Sequence, residues 1–284
     1  MMLKAKQKGF TLLELLVVIT LLAILSVGAL VAYDGLTEKA QAAATANNTG
    51  AVDRAIRQYR VIAAEYPDQW DNLVASGTAL DMLAPETKEI LSALTAGPQL
   101  ASAAAALEEI GVEELQETTV ALIPNVVPNL QHNEGATSGV SDEVAVASAT
   151  SLAYLTYQGQ TTLAGGTGGI ADSNRINKFN DSFETDETHV LIALGFGHDA
   201  AHSTADSKVG IMTAPTYTSA KINPAVNYAR YIGLFHVAES ASAAGLAPTD
   251  ASMEWHEKAH FVGIIDPEGN GIDDNIAEAI SNDN

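Results

Sequence analysis

Three groups of residues have types and spacings suited to chemistry. The first is Glu14, the one carboxylate in the 22-residue apolar run from Phe10 to Val31. An acidic side chain at the centre of a membrane helix costs about 2.5–3.5 kcal/mol, and less near the interface, so its place near the start of the run calls for a partner. The second is His256-Glu257-Lys258-Ala259-His260. It satisfies the His-Glu-x-x-His pattern, in which a helix puts two imidazoles on one face to hold zinc while the glutamate activates water. Glu278 is placed to act as a third ligand, and His198-Asp199-Ala200-Ala201-His202 is a second i, i+4 pair. Against a zinc peptidase, Lys258 sets a cation beside the metal and His260 to Ile265 reads as a strand. Solvated loop histidines are the favoured reading, with structural metal binding and a catalytic zinc site as alternatives. The third group runs from Asp266 to Asp274. Oxygen donors at Asp266, Glu268, Asn270, the Ile272 carbonyl and Asp274, with Gly271 permitting a sharp turn, match the first part of an EF-hand or thrombospondin-type calcium loop. Position twelve is Ala277, with Glu278 one residue late, so an acidic turn without calcium is the competing reading.

The elements that must position these groups follow from periodicity. At about 1.5 Å per residue the apolar run reaches roughly 33 Å, enough to cross a bilayer. Leu36, Ala40 and Ala44, then Val52, Ile56, Tyr59 and Ala63 continue one helical stripe. Thr45-Ala46-Asn47-Asn48-Thr49-Gly50 interrupts it with weak helix formers, which predicts a hinge or break. Tyr66-Pro67 ends it. Leu80 to Leu94 and Gln99 to Ile110 read as two short helices broken at Gly97-Pro98, with a third starting near Val112. Residues 131–149 and 159–175 read as loops. The glycine run at 165–169 lacks the Gly-Lys-Ser/Thr ending of a phosphate-binding loop. His189 to Phe196, Tyr228 to Val237 and His260 to Ile265 read as antiparallel strands.

Composition constrains the setting. Lys4, Lys6 and Lys8 precede the apolar run and place the N-terminus in the cytoplasm by the positive-inside rule, leaving everything after Tyr33 outside it. The formal charge of −21 argues against nucleic acid or anionic membrane surfaces as partners. There is no cysteine, so no disulfide pins any part of the chain. A secretory signal peptide would have a shorter apolar core and a better cleavage site than Leu30-Val31-Ala32. A plain signal anchor explains neither Gly9 nor Glu14.

The basic leader, Gly9, and Phe10-Thr11-Leu12-Leu13-Glu14 opening an apolar helix resemble the type IV pilin superfamily, which includes the pseudopilins of type II secretion and the competence pilins. Ala55-Ile56-Arg57-Gln58-Tyr59 through Tyr66-Pro67 to Leu73 is similar to the helix exit of major pseudopilins. The resemblance covers residues 1 to about 75. It implies cleavage after Gly9 by a prepilin peptidase and methylation of the new amine of Phe10. It further implies pairing of Glu14 with the N-terminal ammonium of a neighbouring subunit. Losing a leader with three lysines and no acid takes the formal charge from −21 to −24. Many pilins carry a proline in the first half of this helix and a C-terminal disulfide; this chain has only Gly28 and Gly35, and no cysteine. Calcium in the C-terminal loop, as in some major pseudopilins, is the implied substitute.

The resulting expectation is an α+β, pilin-like fold. Residues 1–9 form a leader, 10–33 a transmembrane assembly helix, and 34–75 its amphipathic continuation. Residues 76–120 form a helical insertion, and 121–284 a head with an antiparallel sheet and an acidic C-terminal loop. The implied function is structural, not enzymatic. The chain is expected as a single-pass inner-membrane subunit that joins a periplasmic or extracellular filament. Its implied partners are copies of itself or other pilins, the peptidase and an inner-membrane assembly platform. A membrane-anchored metallopeptidase using His256, Glu257 and His260 is the alternative.

Overall fold

Thr11 opens a single helix, α1, that runs unbroken from Leu12 to Ala63, 52 residues and roughly 78 Å at about 1.5 Å each. The structure, a computed structural model, describes residues 11–75, 77–95, 97–118, 141–158, 183, 187–217, 219, 221–224, 227–240 and 247–281. Gly9, Phe10 and the glycine run at 165–169 lie outside the described residues. After α1 come β1 (Trp70–Asn72), β2 (Val74–Ala75), β3 (Thr78–Ala79), α2 (Pro85–Ile90), β4 (Ser92–Thr95), α3 (Pro98–Glu108), β5 (Glu114–Thr118) and β6 (Ser141–Ala145). A 3-10 turn at Val146–Ser148 leads to β7 (Ser151–Gln158), β8 (Thr188–Gly195), α4 (His198–His202), β9 (Ile232–Ser240), β10 (Glu254–Ile265) and α5 (Ile272–Ser281).

The helix has two halves with different surroundings. Leu12–Leu30 is long and apolar enough to cross a membrane, and none of it is buried by the rest of the chain. A contiguous apolar surface of that size is a membrane or protein contact, not a water-facing one. Further on, Val52 and Ile56 are buried in the core. The helix stops at Ala64, whose left-handed backbone (φ 67°) lets its N–H donate to the Arg60 carbonyl.

The predicted break at residues 45–50 is absent. The Thr49 hydroxyl donates to the Thr45 carbonyl at 2.9 Å, and Thr45 and Thr49 are buried. A Cβ built on Gly50 would stand 2.9 Å from Ile272 Cδ1. The small residues that weaken the helix locally are the surface on which α5 packs, and tertiary contact overrides propensity.

Eight strands form one sheet in the order β10-β9-β8-β1-β5-β6; β7 shares an edge of β8 with β1, and β4 lies beyond β7. The expected all-antiparallel arrangement has one exception, because β1 and β5 are parallel. The chain between them makes the crossover that a parallel pair requires. That crossover is the segment read as a helical insertion, and only part of it is helical. Helices α2 and α3 each begin on a proline, where the missing N–H costs nothing. The expected helix over Leu80 to Leu94 shrinks to α2 because Ser92–Thr95 pairs with β7. The expected helix from Val112 is instead β5, with Leu115 turned inward. Residues 141–145, read as loop, form the polar outer strand β6.

The sheet is covered on both faces, which explains why every position of β8 is buried. Val190, Ile192 and Leu194 join one cluster with Ile56 of α1, Leu107 of α3, Trp70 and Phe235. The alternate residues Leu191 and Ala193 join a second cluster with Leu73, Leu83, Ile90 and Leu234. The expected strands at 189–196, 228–237 and 260–265 correspond to β8, β9 and β10, with β9 starting later and β10 six residues earlier.

Candidate functional site

Strands β8, β9 and β10 lie side by side and antiparallel. Because side chains alternate between faces, histidines placed on neighbouring strands meet only if their parity agrees. His189 stands near the start of β8. His236 of β9 pairs directly with His260 of β10, and His256 lies further along the same strand. These four of the seven histidines line one cavity of about 560 Å³, together with Glu187, Glu239 and Phe183. His189 Nδ1 is 3.2 Å from His236 Nε2. Glu239 Oε2 lies 3.7 Å from His189 Nδ1, 3.9 Å from His236 Nε2 and 3.8 Å from His256 Nε2. The Phe183 ring stacks on His189, with 4.5 Å between centroids.

Burial favours the neutral form of two of these rings, His236 and His256. Burial, then the neighbouring imidazoles of His256 and His189, push His236 down to about 3, while its contact with the Ala238 carbonyl works the other way. His256 is lowered by burial, with Glu239 opposing. Neutral imidazoles are the form that binds metal. At the rim, Arg57 of α1 donates from Nη2 to the Val262 carbonyl at 2.8 Å and sits over the Phe261 ring.

The zinc-peptidase geometry is absent. His256 and His260 stand on a strand, not on one face of a helix, and Glu257 is exposed. His198 and His202 do occupy a helix, α4, with their rings 6.1 Å apart, but neither lines the cavity. The expectation of solvated loop histidines also fails for His256, which is partly buried within β10. His189 and His236 were not singled out in the sequence. The signal was there, because each of the three expected strands carries one histidine.

At the other end, Glu14 has a partner within its own helix. Its Oε2 accepts from the backbone N–H and the hydroxyl of Thr11, each at 2.9 Å, while Thr11 Oγ1 accepts from the Glu14 N–H at 3.2 Å. This is a capping box, and it satisfies orphan donors at the helix start.

The acidic C-terminal turn is closed by protein groups. Asp266 Oδ1 accepts from the N–H groups of Glu268 and Asn270, at 2.9 and 2.8 Å. Glu268 Oε1 accepts from the hydroxyls of Tyr217 and Ser219, and Lys221 Nζ is 3.5 Å from its Oε2. Asp274 Oδ2 accepts from the Gly271 N–H at 3.1 Å, and Ile272 begins α5. Of the five residues expected to ligate calcium, Asp266, Glu268 and Asp274 thus hold hydrogen bonds within the protein. Asp266 Oδ2 is buried and makes no well-formed hydrogen bond among the described residues, although the Asn275 side chain lies near enough to favour the ionised form. Burial pushes Asp266 up to about 6.

Residues 4–30 match the family described as the prokaryotic N-terminal methylation motif, the signature of type IV pilins and pseudopilins. No curated protein and no solved structure matches the chain significantly.

Proposed function

We propose that this chain is a structural subunit of a type IV pilus-like filament or a type II secretion pseudopilus. It is made as a membrane-anchored precursor, cut by a prepilin peptidase after Gly9, methylated on Phe10, and polymerised with copies of itself or other pilins from an inner-membrane platform. One observation carries the reading. The methylation motif at residues 4–30 feeds a single 52-residue helix whose apolar first part is wholly exposed, while Val52 and Ile56 are locked into the sheet domain. A subunit built this way presents a rigid apolar rod that finds cover in a bilayer or among identical rods. Glu14 lies at the tip of that rod, where the neighbouring subunit's ammonium would neutralise it.

Calcium at the C-terminal turn belongs to the same proposal, with Asp266 Oδ2 as the oxygen an ion would take. Glu268 would join it on release from Lys221. The decisive measurement for the subunit reading is intact-mass analysis of the protein recovered from membranes. The expected mass is that of a chain beginning at Phe10 with one added methyl group. A mature N-terminus at Ala32 or Tyr33, or retention of Met1, overturns the reading.

A further inference from the structure

We infer that His189, His236, His256 and Glu239 bind a divalent transition-metal ion of the zinc class, which staples β8, β9 and β10 together at one end of the sheet. The distances favour an ion. Ligands held tetrahedrally at about 2.0–2.1 Å from zinc stand roughly 3.3–3.4 Å from one another. The donor atoms of His189, His236 and Glu239 lie 3.2, 3.7 and 3.9 Å apart, and all three fall within one small sphere. His256 Nε2 is 3.8 Å from the same glutamate oxygen but stands outside the close group of the other three, so it must swing inward to complete the set.

A second observation is independent of that spacing. His256 Nε2 is buried and has no hydrogen-bond partner among the described residues. A buried polar nitrogen left without a partner costs about 1–3 kcal/mol, and a metal ion removes that cost. Imidazole and a single carboxylate suit zinc and its neighbours, whereas calcium and magnesium take shells of oxygen. This site is therefore chemically distinct from the C-terminal turn. Four protein ligands fill a tetrahedron, so the role is structural. In a chain with no cysteine, the ion supplies the cross-link that a disulfide would otherwise provide.

One proton must move. His236 Nε2 is 3.0 Å from the Ala238 carbonyl, which only accepts, so Nε2 carries the proton in this arrangement. Coordination through Nε2 displaces that proton and leaves the ring protonated on Nδ1. The Ala238 contact is given up in exchange for the bond to the ion.

The test is titration of tag-free full-length protein in detergent with cobalt(II), followed by displacement with zinc. The expected result is one saturable visible absorption band of tetrahedral cobalt that zinc removes. His256→Ala and Glu239→Gln should each weaken binding by about tenfold or more, while Lys258→Gln, at an exposed position of β10, should leave it unchanged. Circular dichroism and the unfolding midpoint in chelator show whether each variant keeps its fold. Should His256→Ala lose it, Glu239→Gln, which keeps the side-chain shape, decides alone. The absence of a saturable band, or wild-type affinity in the folded variants, overturns the site. Neither outcome bears on whether the mature chain begins at Phe10.

Discussion

Glu14 carries two explanations that separate by chemistry. A capping box needs an acceptor at the third helical position, and either glutamate or glutamine serves. Pairing with a neighbour's ammonium needs the charge. Glu14→Gln therefore keeps the bond to Thr11 and loses the pairing, whereas Glu14→Ala loses both. The expected outcome is membrane insertion in both variants and no surface filaments in either, read by fractionation and electron microscopy after gene replacement. Normal filaments in Glu14→Gln would reduce the residue to a helix cap worth about 1 kcal/mol. The anomaly of a carboxylate in an apolar run was legible in the sequence, and so in principle was Thr11 three residues before it. The histidine cluster was harder to read. Histidines on three separate strands become a site only through strand order and register, which single-segment patterns do not contain.

At the scale of elements, the long helix and the three late strands were legible because their periodicities are strong and local. The middle of the chain was not. Leu80 to Leu94 and the residues after Val112 have helix-forming compositions, yet pairing with β7 and β1 makes strands of Ser92–Thr95 and Glu114–Thr118. Gly50 shows the same limit from the other side. Propensity alone favours Gly50→Ala by about 1 kcal/mol. The interface with α5 opposes it, because the new Cβ would press on Ile272 Cδ1. That atom ends a movable side chain, so Gly50→Ala should be close to neutral. Gly50→Val should destabilise by about 1–3 kcal/mol through overpacking, and adding Ile272→Ala should recover part of the loss. Urea unfolding of the set checks this. Additive effects of Gly50→Val and Ile272→Ala would show that α5 does not rest on this stretch of α1.

For the whole molecule, an acidic chain that also buries carboxylic acids must respond to pH in a particular direction. Asp71, fully buried, accepts from the Tyr228 hydroxyl at 2.7 Å. Gly195 makes room for that contact, since a Cβ there would lie 1.7 Å from Tyr228 Oη. Burial pushes Asp71 from 3.8 up to about 8, against the Tyr228 hydrogen bond and the Arg230 charge; Asp266 rises to about 6, again chiefly through burial. For an acid whose pKa is raised on folding, the native state holds the proton more tightly than the unfolded chain. The associated stability is fully present below the unfolded value and falls as pH rises through the folded one. Asp266 thus acts between about pH 4 and 6, and Asp71 between about pH 4 and 8. Thermal unfolding of the full chain between pH 4 and 8.5, in calcium or in chelator, separates the two groups. In chelator the wild type should lose stability across both windows. Asp71→Asn, which keeps the shape without an ionisable proton, should lose less above pH 6, by on the order of 5 °C or more at about 2–4 °C per kcal/mol. Calcium should abolish the Asp266 portion alone, because an ion on Oδ2 stabilises the ionised form, and Asp266→Asn should remove the calcium effect. A calcium-induced rise that survives Asp266→Asn would place the ion elsewhere on the acidic surface. A pH profile unchanged by Asp71→Asn would mean that the buried carboxyl ionises as easily in the fold as in water.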